Sequence, residues 1–193
     1  GYFAPTSGNI FLGDTPLQDY DMTSWRHSCG VVLQDSHVFS ESLARNIAVE
    51  DKHIDRTRLR TAARQANLEE FIEKLPLKYQ TMVGAEGVGL SRGQEQRIFI
   101  ARALYKDPSF VFLDEATNSL DANNERIITG NLLDFCKGRT VLIVAHRLST
   151  IRHADRIVVL HKGRIVEEGT HDELCARHGY YYELINNQLI AMG

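Results

Sequence analysis

The stretch FVFLDEATNSLD, Phe110 to Asp121, decides how this chain folds. Four apolar residues run straight into two adjacent carboxylates, Asp114 and Glu115, and a small polar segment follows. A short apolar run of this kind reads as a buried strand. Acids at the end of a buried strand are costly unless a cation or a reacting group needs them. In open α/β sheets, ligands bind at the carboxyl ends of the strands, so Asp114 sits where such a sheet places its chemistry. Taken alone, the stretch equally describes a strand end with two solvated acids, and its surroundings must discriminate.

Working outward, a second all-apolar strand, TVLIVAH, follows a helical segment, NERIITGNLLDFCKG, and an earlier one, CGVVLQ, ends on Gln34. Strands apolar throughout are expected to be buried on both faces, as in a parallel α/β sheet. Between them the character changes. HIDRTRLRTAARQANLEEFIEKL carries Leu59, Ala62, Ala63, Ala66, Leu68, Phe71 and Ile72 at three- and four-residue steps, which predicts a helix. A Gly-rich loop, GAEGVGLSRGQ, leads into a further helix, EQRIFIARALYKD. SESLARNIA reads as a helix start with Ser40 as N-cap, and NIFLG as a short strand. Toward the end, RIVVLHKGRIVEEG reads as a hairpin turning at Lys162-Gly163, and THDE as a capping box of Thr170 with Glu173. The expected architecture is an α/β core over residues 1–50 and 107–193, interrupted by a helical subdomain over 51–106.

The totals exclude several classes. The 193 residues are 43% hydrophobic and 24% charged, as in ordinary globular proteins, and carry a net charge of −3. That charge gives no electrostatic case for nucleic acid as a partner. Cys29, Cys136 and Cys175 are far apart without a CxxC pair, and read as reduced thiols. His153, His161, His171 and His178 match no usual metal-ligand spacing. No apolar run nears the ~18 residues that span a bilayer.

Four elements then combine. FVFLDE fits a Walker B motif, in which Asp114 holds Mg²⁺ and Glu115 polarises the water attacking a γ-phosphate. LSRGQEQR, Leu90 to Arg97, puts small and polar residues just before a helix, where the N-terminus, the Ser91 hydroxyl and the Gly93 N–H make an anion cradle. His146 ends the strand after FVFLDE and can reach a γ-phosphate and the attacking water. The Gln34 amide can join a Mg²⁺ shell or the attacking water.

Gln34, LSRGQ, LDE, SLD and AH, in this order and spacing, resemble the ATP-binding cassette (ABC) family, and most closely the nucleotide-binding domain of its exporters. The resemblance implies a P-loop NTPase-like parallel sheet core, incomplete at its N-terminus, with an inserted α-helical subdomain carrying the signature motif. It implies ATP and Mg²⁺ as cofactors, and an ATPase coupling hydrolysis to transmembrane transport. Gln34 would contact Mg²⁺ and a coupling helix of the membrane domain. Ser91, Arg92, Gly93 and Gln94 would form the signature touching ATP on an opposite subunit. Asp114 would be the magnesium carboxylate, Glu115 the catalytic base, Asp121 the D-loop residue at the dimer interface and His146 the γ-phosphate switch. The implied partners are a second nucleotide-binding domain, head to tail, and transmembrane domains, at the cytoplasmic face of the cell membrane. The alternatives are a soluble ABC ATPase of DNA repair or translation, and a non-catalytic module donating its signature to a complete partner.

Two departures stand out: Arg92 replaces the first glycine of the usual LSGGQ, and Ala85 precedes Glu86 where exporters often have Glu directly after VG. There is no Gly-Lys dipeptide, so the phosphate cradle GxxxxGK[ST] is expected upstream of Gly1. The 193-residue polypeptide by itself is therefore expected to bind MgATP poorly and to be inactive.

Overall fold

The computed structural model describes residues 4–144 and 151–192. The chain divides into two compact units, Gly1–Leu142 and Ile143–Gly193.

The first unit opens with a two-residue-strand hairpin, β1 (Phe11–Leu12) with β2 (Thr15–Pro16). Helix α1 (Met22–Ser28) starts at Asp21, whose carboxylate accepts from the Thr23 and Ser24 N–H groups and satisfies two orphan donors of the first turn. It feeds β3 (Cys29–Val32). Four helices follow: α2 (Leu43–Ile47), α3 (Arg56–Gln65), α4 (Glu69–Glu73) and α5 (Arg92–Lys106). Then come β4 (Phe110–Asp114), α6 (Ala122–Cys136) and β5 (Thr140–Val144). The strands form one sheet in the order β3-β4-β5, and β3 pairs with β4 in parallel, Val32 opposite Leu113. The expected α/β architecture with a parallel strand pair is present, and the FVFL run is its central strand.

Helix α5 is the centre of the packing. It buries Ile98, Phe99, Ile100, Ala101, Ala103, Leu104 and Tyr105, nearly all round, because it is covered by α2, α3 and β3. Ile98 and Ile100 are fully buried, and each such side chain contributes about 1.5–3 kcal/mol. Arg139, beyond α6, donates to the Phe135 and Pro108 carbonyls and to Asp107, each at 2.7 Å. It thereby ties the end of α6 to the entry of β4.

Three local expectations are corrected. The predicted long helix from residue 53 is two helices, α3 and α4, because Asn67 between them takes a left-handed conformation (φ 52°) that Asn tolerates better than most residues. Ser42, not Ser40, caps α2, accepting from the Arg45 N–H at 3.2 Å. The apolar strands are also not buried on both faces. Val32, Val111 and Leu113 are covered, while Val31 is 43% exposed and β5 alternates, with Leu142 59% and Val144 51% exposed. On the β3-β4 pair, Trp25 of α1 packs against Phe110 and Phe112.

Asn46, on α2, is fully buried and fully employed. Its Oδ1 accepts from the Phe39 N–H (2.8 Å), and its Nδ2 donates to the carbonyls of Phe39 (2.9 Å), Glu41 (3.3 Å) and Ser42 (3.2 Å). It holds the loop that leaves the β3 edge. Asn46→Ala leaves several of those backbone groups buried without a partner, and we expect a loss of about 3 kcal/mol in chemical denaturation.

The second unit is a hairpin, β6 (Ile157–His161) with β7 (Arg164–Gly169), followed by α7 (His171–Arg177) and α8 (Tyr180–Met192). Lys162 (φ 47°) and Gly163 (φ 74°) make the predicted turn. Positive φ at both central positions matches the twist of the flanking strands. Thr170 and Glu173 form the predicted capping box. Ile157, Val159, Leu174, Tyr181 and Ile185 are its core, and Tyr181 is packed there as an ordinary buried aromatic.

Candidate active site

Parallel pairing of β3 with β4 brings their carboxyl ends to one edge of the sheet. Gln34 lies just beyond β3, exposed, and Asp114 closes β4, half-buried. Glu115 follows in the left-handed region at φ 50°. For a glutamate this is uncommon backbone, costing on the order of 1–3 kcal/mol, and such strain clusters at functional sites. The turn that holds it is closed by the Asn118 N–H on the Glu115 carbonyl (3.1 Å) and the Leu120 N–H on the Thr117 carbonyl (3.1 Å). Gln34 Nε2 and Asn118 Nδ2 both donate to Glu115 Oε2, at 3.5 and 2.6 Å. Gln34 and Glu115, 81 residues apart in the chain, thus meet.

The LSRGQ segment begins α5. Ser91 is the N-cap: its Oγ accepts from the Gln94 N–H (3.2 Å), and Gln94 Oε1 accepts from the Ser91 N–H (2.8 Å). This reciprocal arrangement employs two of the predicted residues as a capping box. Arg92 is exposed at the first helical position. Gly93 comes so close to the loop after β4 that a Cβ there would lie 3.3 Å from the Ser119 carbonyl oxygen. Two residues of the same octet complete the junction. Buried Gln96 donates through Nε2 to the Ala116 carbonyl at 2.8 Å. Arg97 donates to the Gly93 carbonyl (3.2 Å) and the Asn67 carbonyl (2.6 Å), and its burial lowers the guanidinium pKa.

Asp121 is the N-cap of α6, accepting from the Asn124 N–H at 3.0 Å. That backbone bond, and a second from the Asn124 side chain, hold its carboxyl below the usual aspartate range. Asn124 in turn accepts from Asn67 (2.8 Å). The loop 115–121 is therefore fastened at one end to the Gln34 edge and along its length to the start of α5. His146 lies outside the described residues. Sequence reasoning missed Gln96, Arg97 and Asn118. The first two were visible as polar residues inside a helix otherwise rich in apolar ones. Asn118 was visible only as an amide three residues beyond Glu115.

Chemically, the edge offers a carboxylate ending a strand, a second carboxylate held by two amide donors, and a helix N-terminus against the same loop. Among the described residues no helix is long and apolar enough to cross a membrane, and no group of three or more His, Cys, Asp and Glu is placed to hold a metal without other donors.

Comparison with known proteins gives concordant findings. A family profile described as ABC transporter matches residues 1–118. The chain is 46% identical over 183 residues to an ATP-dependent lipid A-core flippase of Chromohalobacter salexigens, covering 95% of this chain and 32% of the relative. It is 45% identical over 184 residues to the Toxin RTX-I translocation ATP-binding protein of Actinobacillus pleuropneumoniae, covering 95% of this chain and 26% of that one. Among solved structures it is similar to a bacterial Atm1-family ABC exporter with ATP bound, with a TM-score of 0.92 and 37% identity, over 97% of this chain and 33% of that chain. The chain thus spans about a third or less of the length of these proteins.

Proposed function

Because this chain belongs to the ABC transporter family, we propose that it is the ATP-binding and ATP-hydrolysing motor of a membrane exporter, coupling hydrolysis to transport. The observation that carries the reading is the meeting of Gln34 and Glu115 at the carboxyl edge of the parallel pair, beside the start of α5. The likeness to a flippase, a toxin translocation protein and an ATP-bound exporter supports export over a soluble ATPase role.

Asp114 and the Gln34 amide oxygen are the donors for Mg²⁺. Oxygen atoms suit that hard cation, which commonly takes one or two protein ligands and completes its shell with water and phosphate. When bound, the metal neutralises charge on the transferred phosphoryl group. Glu115 accepts the proton of the attacking water and aims it along the phosphorus–oxygen axis. Ser91, Arg92, Gly93 and Gln94 face the nucleotide of a second copy in a head-to-tail dimer, with Asp121 crossing that interface and His146 reaching the γ-phosphate. For the Gln94 side chain this means leaving its bond to the Ser91 N–H, or acting through the cap it completes. Residues 51–106 act as the helical subdomain and the flanking segments as the α/β core. The motor works at the cytoplasmic face of the membrane against transmembrane domains, which select the cargo.

The test is Mg²⁺-dependent phosphate release by the complete exporter in lipid vesicles. Asp114→Asn keeps the shape and removes the charge, and is expected to lower the rate at least roughly tenfold with partial recovery at raised Mg²⁺. A rate equal to wild type at low Mg²⁺ contradicts the assignment.

A further inference from the structure

Asn118 is exposed, yet the residues around it are anchored. Thr117 and Leu120 are buried, and the Ala116 carbonyl is held by buried Gln96. The loop has its packing without the Asn118 side chain. Asn118 makes a short side-chain bond to a titratable group, 2.6 Å from Nδ2 to Glu115 Oε2. A carboxylate only accepts, so the amide must present its NH₂. The longer Gln34 contact reaches the same oxygen, at 3.5 Å. The Glu115 backbone is itself held in the left-handed region. Backbone and side chain of this glutamate are therefore both constrained, with Asn118 giving the shorter of the two amide contacts to Oε2.

We propose that Asn118 is a positioning residue for Glu115: by clamping Oε2 it sets the rotation of the carboxylate and thus the direction in which its lone pairs meet the attacking water. The inference rests on the reading of Glu115 as base. A hydrogen bond to an ionised group is strong enough to favour one orientation of the carboxylate over others. A base turned away from the water loses the alignment that makes proton transfer efficient.

The experiment uses the complete exporter and reads kcat, KM for ATP and melting temperature for wild type, Asn118→Ala, Asn118→Asp and Asn118→Gln. Asn118→Ala is expected to lower kcat roughly tenfold, with KM and melting temperature close to wild type. Asn118→Asp keeps the shape, loses the donor and adds a like charge, so its kcat falls at least as far. Asn118→Gln keeps the amide on a longer arm and restores kcat to within about threefold of wild type. In a Glu115→Gln background, Asn118→Ala adds no further loss, because the two changes act on one function. A kcat near wild type in both the Ala and Asp variants overturns the proposal. So does a loss that tracks melting temperature and persists in Asn118→Gln. Should Asn118→Ala fail to fold, the Asp and Gln pair decides by the same criteria. If Glu115→Gln itself turns over normally, the base assignment fails. If it is dead while Asn118→Ala and Asn118→Asp are normal, only the positioning role fails.

Discussion

Glu115→Gln in the complete exporter is expected to lower steady-state phosphate release by about a thousandfold while ATP stays bound. The substitution exchanges one carboxylate oxygen for an amide nitrogen and leaves the side chain the same size. The carbonyl oxygen of Gln can still accept from Asn118, and the turn that places residue 115 is made by backbone bonds, Asn118 N–H on the 115 carbonyl among them. The geometry therefore survives and the proton acceptor does not. General bases contribute typically ~10²–10⁴-fold to a rate, which brackets the expected loss. Asp114 and Gln34 are untouched, so nucleotide affinity is expected to hold, and filter retention of labelled ATP measures it directly. Phosphate release within a few-fold of wild type rules Glu115 out as base.

Gly93→Asp separates stability from activity at the other motif. Position 93 lies in the first turn of α5, where an acid is favoured by the helix dipole and replacing glycine helps the helix by roughly 0.5–1 kcal/mol. The new Cβ meets the Ser119 carbonyl oxygen at 3.3 Å, a tight but tolerable approach to a turn that must shift by a few tenths of an ångström. The two local effects nearly cancel, so the melting temperature is expected to stay close to wild type. The carboxylate nevertheless stands where the proposed dimer puts a phosphate of the opposite nucleotide. Two anions in a desolvated cradle repel strongly, and ATP hydrolysis is expected to drop by about a hundredfold. Wild-type hydrolysis with unchanged stability contradicts a phosphate-facing role for this glycine.

Much of the fold was legible because its signals are local. FVFLD announced a strand by composition, Lys162-Gly163 a turn by the positive φ it needs, and Thr170 with Glu173 a helix start by spacing. The family was legible for a different reason. Gln34, LSRGQ, LDE and SLD are each weak, but their order constrains a single arrangement, and the profile match and the exporter likeness agree with it. What the sequence hid was non-local. The break at Asn67 depends on a left-handed residue whose side chain reaches Asn124, 57 positions away. The exposure of Leu142 and Val144 depends on what packs over the strand, which its composition alone does not report. Ser42 displaces Ser40 as cap because α2 begins two residues later than its pattern suggests. In the site, the pairing of Gln34 with Glu115 followed from the sheet edge that both were expected to share. The Asn118 clamp did not, because an asparagine in a turn has many ordinary uses.

The head-to-tail dimer is the central claim, and one complementation measurement tests it most directly. Exporters are assembled with one subunit carrying Glu115→Gln and the other Gly93→Asp, isolated by two tags, and phosphate release is measured. If each ATP site takes Glu115 from one subunit and Gly93 from the other, this mixed dimer contains one intact site and one carrying both defects. It is predicted to hydrolyse ATP far faster than either mutant homodimer, at up to about half the wild-type rate. If the two motifs instead serve the same nucleotide within one subunit, every site carries a defect. A mixed dimer no more active than the homodimers would contradict the account.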